Sequence, residues 1–298
     1  MDNFLQRFSF KAMGSLCELQ LFCNSRITAK HTARQVIEEI ERLEAKYSRY
    51  RQSSVIATIN ECAKQHQVTE LDHETDALFD HALSCYEQSD GYFDITAGGL
   101  SKLWDFKVAA VPSKNAIDAA LQNVGFHRLN RKNSRLMMPP GMEIDLGGIV
   151  KEYAADTAAA LARSLGCDSG LVNLGGDFAV IGPHPQTGAW PIGIVSPNSH
   201  NGLMATLNLS SGGLASSGDY ARYFVHQGRR YSHILNPKTG WPSRGLRAVS
   251  ITHGLCTVAG SMATIAMLKD EQQALQWLME SGAAYVCMTQ AGEIETGA

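Results

Sequence analysis

The chain has 298 residues, 44% of them hydrophobic, and a formal net charge of −3. That length suits one large domain or two closely fused lobes around a sizeable core. No basic stripe with interleaved aromatics runs through it, which argues against a nucleic-acid partner.

Met1 to Arg7 has no basic start and no long apolar run, so it does not read as a signal peptide. Cys17, Leu19, Leu21 and Cys23 alternate with more polar residues, the period of a half-buried strand. Val36, Ile37, Ile40, Leu43 and Tyr47 then recur at helical spacing. Asp72 is placed to cap a second helix, whose inner face is Leu78, Phe79, Ala82, Leu83 and Tyr86. Ser113 is placed to cap a third, carrying Ile117, Leu121 and Val124.

Asp145-Leu146-Gly147-Gly148-Ile149-Val150-Lys151 opens the next helix, which buries Tyr153, Ala154, Ala158, Leu161 and Leu165 and stops at Gly166. From Leu171 to Ile251 short apolar runs broken by Gly, Pro, Ser and Asn indicate a strand-rich half. Within it, Ser232 to Pro242 holds a His, two Pro and a Gly, so neither a helix nor a central strand passes through. Helices follow near Thr257–Leu268 and Glu271–Ser281, then a strand over Ala284–Thr289. The whole reads as an α+β domain, a mixed sheet with helices packed on it. The apolar run Cys256–Leu268 is too short to span a bilayer. Seven scattered cysteines without a Cys-x-x-Cys fit reduced thiols. A cytoplasmic protein without a transmembrane segment is the expectation.

Two segments suggest chemistry. Glycines at a helix start expose backbone N–H groups to an anion, and Lys151 adds a point charge suited to phosphate. The stiff loop after Ser232 presents polar groups, although a tight turn between strands would look the same. Together they point to a phosphate-bearing ligand. The Gly-x-Gly-x-x-Gly and P-loop fingerprints are absent, as are His-Glu-x-x-His and the Ser-x-x-Lys that Lys238-Thr239-Gly240 would need as a penicillin-binding site.

The remaining motifs form an ordered set: Ala12-Met13-Gly14-Ser15; Tyr47-Ser48-Arg49-Tyr50 with Ser54 and Asn60; Gly91-Tyr92-Phe93-Asp94-Ile95-Thr96 with Leu100 and Trp104; Asp145 to Tyr153; Asn173-Leu174-Gly175-Gly176-Asp177; Ser216 to Tyr220; and His233 to Pro242. In type and order they resemble the ApbE family, the FAD:protein FMN transferases, over almost the whole chain. The resemblance implies a T-fold-like architecture. It also implies transfer of the FMN half of FAD to a threonine hydroxyl of a target flavoprotein, with release of AMP and help from Mg2+.

By that resemblance Met13, Tyr50, Tyr92, Phe93, Asp94, Asp145, Lys151 and Ile234 contact FAD, His233 and Lys151 are catalytic, and Gly148 and Thr264 hold the metal. Taken singly, Met13, Tyr92 and Phe93 fit a core, Asp145 a helix cap, Lys151 a solvated surface and His233 a backbone-satisfied histidine. The chain departs from the family twice: Gly260 stands where an Asp is usual, and Glu152 where a Gly is usual. Gly148 and Glu152, four apart, would share a helix face, and Glu152 would supply the charge missing at 260. Otherwise Glu152 is a solvated helix residue beside a degraded metal site. If transfer is weak, Gly260→Asp is expected to raise it. An FAD-binding paralogue without transferase activity, or an FAD pyrophosphatase, are the competing functions.

Overall fold

The computed structural model describes residues 4–106, 108–198 and 202–297; part of the N-terminal reading, Met1 to Asn3, lies outside them. The first two strands, β1 (Phe4–Ala12) and β2 (Ser15–Cys23), form a hairpin. A helical stretch follows, with α1 (Arg26–Tyr47), α2 (Val55–Lys64), α3 (His73–Gln88) and α4 (Lys114–Leu121). It carries a three-stranded sheet of β3 (Thr69–Glu70), β4 (Asn130–Lys132) and β5 (Arg135–Met137). After α5 (Val150–Ser164) come β6 (Gly170–Leu174), β7 (Asp177–Gly182), β8 (Trp190–Val195), β9 (Leu203–Leu209) and β10 (Gly213–Gly218). The chain closes with β11 (Tyr223–His226), β12 (Arg229–Ser232), β13 (Ala248–His253), α6 (Cys256–Leu268), α7 (Glu271–Ser281), β14 (Ala284–Met288) and β15 (Ile294–Gly297).

Eight strands make the main sheet, in the order β1-β2-β6-β7-β10-β13-β14-β15, and each neighbouring pair is antiparallel. Helices α1, α5 and α6 pack on one face. Cys17, Leu19 and Leu21 of β2 point into that helix-side core, as their alternation predicts, while Phe22 faces the other way. There the β8–β9 ribbon covers the sheet with Trp190, Ile192, Ile194 and Leu209. This is the α+β arrangement the sequence indicates.

Caps set several helix starts. Ser25, Ser54, Asp72, Ser113 and Asp270 each accept a backbone N–H at the start of α1, α2, α3, α4 and α7. Helix α1 then buries Ala29, Ala33, Val36, Ile40, Leu43 and Tyr47 along one stripe. Each fully buried Leu or Ile there contributes about 2 kcal/mol. Helix α6 is different: ten of its thirteen residues are buried, Gly260 among them. It lies between the sheet and helices α3, α5 and α7.

Candidate active site

Two hairpin tips carry the first and fifth of the ordered motifs. Met13 and Gly14 turn β1 into β2 with φ of +52° and +70°, and Gly175 and Gly176 turn β6 into β7 with φ of +65° and +99°. Positive φ at both central residues is what a two-residue hairpin needs. Strand β2 pairs with β6, so the tips lie side by side. A Cβ on Gly175 would stand 2.6 Å from that of Ser15, so only glycine lets them touch. Met13 is half-buried against the helix-side core. Asp177 follows the second tip and is 1% exposed on its side chain. Its Oδ1 accepts from the Ser216 backbone N–H at 3.2 Å, and its Oδ2 lies 2.5 Å from Lys151 Nζ.

The Asp145–Lys151 segment is not arranged as the sequence suggests. Helix α5 begins at Val150, and no side chain caps it, so Asp145 is no cap. Asp145 instead accepts from Arg49 Nη1 at 2.6 Å and from the Gly147 backbone at 2.8 Å. Arg49 also donates to Ser101 at 2.5 Å. Gly148 lies in the turn before the helix, with the Phe93 ring 3.6 Å from where a Cβ would be. The expectation that Gly148 and Glu152 share a helix face is therefore wrong. The double glycine holds the chain in a turn through Ile149, and the backbone of Val150 is the first in helical register.

Lys151 is no solvated lysine: its side chain is 27% exposed. Burial alone would lower its ammonium, but Asp177 and Glu152 outweigh this and hold it above the usual range. Glu152 is 8% exposed, so it is not a solvated helix residue either. Its side chain lies against Gly260 of α6, with Cδ 2.9 Å and Oε1 3.0 Å from where a Cβ would stand. Burial first and Asp177 second push its carboxyl up to about 8, with Lys151 opposing. The expected gain from Gly260→Asp meets this obstacle, because a side chain at 260 would have to enter space Glu152 fills. Thr264 sits one turn further along α6, half-buried.

The flavin-contact candidates separate into two kinds. Tyr50 is 82% exposed, with the Arg49 guanidinium 5.5 Å from its ring centre. Tyr92 is half-buried between two cations, Lys238 at 4.1 Å and Lys269 at 5.0 Å. Both present flat rings at the surface. Phe93 and Ile234 are core residues, at 4% and 8% exposure. Asp94 is held by its own surroundings: Oδ1 accepts from Thr96 N at 2.8 Å and Thr96 Oγ1 at 2.6 Å, and Oδ2 from Phe126 N at 3.0 Å. Burial raises its carboxyl and those hydrogen bonds oppose the rise.

The loop after Ser232 is neither helix nor central strand and is tied by several hydrogen bonds. Asn236 N–H donates to Trp241 O and Ser243 N–H to Ile234 O, both at 2.8 Å, and Trp104 Nε1 donates to Gly240 O at 3.0 Å. Gly240 has φ of +71° and packs too close to Ile117 for any side chain. At the head of the loop, exposed His233 puts Nδ1 3.2 Å from the Arg222 carbonyl. A carbonyl only accepts, so Nδ1 carries the proton and Nε2 keeps a free lone pair. Desolvation by the crowded loop, then the charges of Arg222 and Lys151, hold the imidazole below the usual histidine range, against the Arg222 hydrogen bond. His233 thus feels the Lys151 charge although 82 residues separate the two in sequence.

Sequence reasoning overlooked three residues. Arg49 fixes Asp145, and Asp177 fixes Lys151; both sit inside motifs already noticed. Asp156 accepts from Cys256 N at 2.9 Å, Thr257 N at 2.8 Å and Thr257 Oγ1 at 2.6 Å, capping α6 from α5. Its position four residues after Glu152, on the same face of α5, was the available signal. A cleft of about 400 Å³ lined by Arg49, Gln52, Asn60, Gly98, Lys102 and Ile144 opens beside the Arg49–Asp145 pair; neither Lys151 nor His233 lines it.

Comparison with known proteins identifies the fold and the family. The solved ApbE protein of Thermotoga maritima superposes with a TM-score of 0.91 at 32% identity, covering 99% of this chain and 97% of that one. The flavinyl transferase ApbE of Pseudomonas stutzeri, in its apo form, shares the fold with a TM-score of 0.87 at 24% identity, over 99% of this chain and 96% of that one. The FAD:protein FMN transferase of Treponema pallidum is 29% identical over 289 residues, 90% of this chain and 80% of that protein. The one from Klebsiella pneumoniae is 31% identical over 81% of this chain and 75% of that protein. The sequence profile of the ApbE family matches residues 13–287, the span from the first hairpin tip to strand β14. With the hairpin tips, the Lys151–Asp177 pair and the His233 loop in one arrangement, this chain belongs to the ApbE family.

Proposed function

We propose that the chain transfers the FMN moiety of FAD to a threonine hydroxyl of a target flavoprotein. The observation that carries this reading is the ammonium of Lys151, clamped by buried Asp177 within electrostatic reach of a neutral His233. Phosphoryl transfer needs a cation on the equatorial oxygens, an aligned incoming oxygen and a proton acceptor. Lys151 supplies the first and His233 Nε2 the last. The threonine oxygen bonds to the flavin-side phosphorus as its bond to the bridging oxygen breaks. That oxygen leaves with AMP, and the hydroxyl proton passes to His233. Tyr50 and Tyr92 offer faces for the ring systems of FAD, and Met13 an adaptable apolar contact. Asp145, fixed by Arg49, accepts from a nucleotide hydroxyl or amine. Phe93 and Ile234 support their loops from the core, and Asp94 ties Thr96 to Phe126.

The residues present fit magnesium. Glu152 Oε2 is buried and makes no hydrogen bond, and the Lys151 ammonium is already held by Asp177 Oδ2, so an ionised Glu152 is costly unless a further cation answers it. Among the described residues no three His, Cys, Asp or Glu side chains converge on one point. Magnesium does not ask for that, since it uses one or two carboxylates and fills its shell with water and phosphate oxygens. The Gly148 carbonyl, Thr264 and the buried carboxylate would hold it, and when bound it neutralises pyrophosphate charge. Residues 1–298 act as one unit in this reading, in a cytoplasmic setting suggested by the scattered cysteines. No helix among the described residues is long and apolar enough to cross a membrane.

Incubation with FAD, magnesium and a target domain bearing the acceptor threonine tests the reading. A fluorescent target band on a denaturing gel is expected. AMP without a band would mean hydrolysis, and tight FAD binding with neither product would mean a carrier; both would overturn the proposal.

A further inference from the structure

We infer that Glu152 and Gly260 form one reciprocal unit, in which α5 delivers across the helix interface the acidic ligand of a divalent-cation site. The inference deepens the transferase reading, but it is tested on cation binding and stability, so the two fail separately.

Four observations carry it. First, glycine inside a helix is destabilising relative to alanine, and Gly260 sits in the middle of α6 with most of its neighbours buried. It therefore needs a local reason, and the Glu152 side chain occupies the space a Cβ would take. Second, Glu152 is more than nine-tenths buried, and its Oε2 has no hydrogen-bond partner. Third, the nearest cation is already engaged: Lys151 Nζ sits 2.5 Å from Asp177 Oδ2. Two buried carboxyl groups share one ammonium, leaving a negative balance when both are ionised. Asp156, the next acid on that face of α5, caps α6 and brings no counter-charge. Fourth, Thr264 lies one helical turn from Gly260, and the Gly148 carbonyl lies in the exposed turn before α5. Hard oxygens on a carboxylate, a hydroxyl and a carbonyl suit magnesium or manganese.

Steric exclusion makes the unit reciprocal. A carboxylate can reach the site from 152 with glycine at 260, or from 260 with a small residue at 152. It cannot come from both, because the side chains overlap and their charges repel.

The test uses the full chain and three variants: Glu152→Gln, Gly260→Asp, and the double swap Glu152→Gly with Gly260→Asp. Binding is read by calorimetric Mg2+ titration and by Mn2+ electron paramagnetic resonance, and folding by thermal unfolding. Glu152→Gln keeps the shape, so its Tm should hold within a few degrees, while cation affinity falls at least about tenfold. Gly260→Asp alone should lower Tm by on the order of 5 °C through overpacking. The double swap should recover most of that loss and bring cation affinity back to within about threefold of wild type, because the oxygen returns from the other helix. Wild type that takes up neither cation, Glu152→Gln that binds as wild type does, or a double swap no better than Gly260→Asp would each overturn the inference.

Discussion

Two buried or half-buried acidic regions of this molecule are handled in opposite ways. Around Glu74, at the start of α3, every acid has a match. Arg42 Nη2 and Lys46 Nζ each lie 2.7 Å from it, and the Tyr47 and Tyr153 hydroxyls stand 3.3 Å away. Although burial pushes the other way, Arg42 and Lys46 hold its carboxyl down to about 2. Around Glu152 there is one lysine for two acids, an oxygen without a partner, and a carboxyl pushed up to about 8. A saturated network ties α1, α3 and α5 together and asks for nothing more. The unsaturated one, at the start of α5 after a glycine-rich turn, is the region the proposed cation would complete.

The sharpest way to break this contrast is to remove the cation from each region. Lys151→Ala leaves Asp177 and Glu152 buried without a counter-charge, and should lower stability by about 3–5 kcal/mol while abolishing transfer. Arg42→Ala, in the partly exposed network, should cost no more than about 1 kcal/mol. Denaturant unfolding of both variants checks the pair, and equal losses would dissolve the distinction.

His233→Ala sharpens the contrast from the chemical side. Transfer should fall by about 10²–10⁴-fold, as for loss of a general base, with little change in Tm because the side chain is exposed. The sign of the pH dependence follows from its lowered imidazole. Only the neutral form accepts a proton, so wild-type transfer should be flat near pH 7 and decline as pH drops below the usual histidine range. An acid limb unchanged in His233→Ala would assign that titration to another group.

Asp156→Ala tests whether the interface between α5 and α6 also contains a saturated acid. It removes three hydrogen bonds from the start of α6 and should cost about 1–2 kcal/mol in unfolding free energy. Mn2+ binding should survive if Asp156 serves the helix alone. Glu74→Gln should have an effect similar to that of Arg42→Ala, about 1 kcal/mol at neutral pH. Its carboxyl is depressed in the folded state, so its contribution is present above the ordinary value of 4.5 and is lost as pH falls towards about 2. Acid titration of wild type and variant by circular dichroism should converge across that window.

Much of the frame was readable before folding. Asp72, Ser113 and the apolar stripe of α1 stand where their residue types and spacing put them, because a cap or an amphipathic face is settled within one or two turns of chain. The Ser232–Pro242 loop was equally plain, since Pro and Gly act on their own dihedrals. Strand β1 was not foreseen: it is the edge of the sheet, and its alternate residues are only half-buried, so its pattern is weak. Strands β3, β4 and β5, of two or three residues, are too short to show a period at all.

The site divides along the same line. Residue types and motif order single out the segments proposed to carry chemistry, because glycine turns, a lysine after them and a histidine loop are local statements. What Glu152 does could not be read from its neighbours, because its environment is made by Gly260, 108 positions away, and by Asp177 on another strand. Whether a carboxylate is solvated, paired or open to a cation depends on what surrounds it in three dimensions. Only packing α5 against α6 decided that.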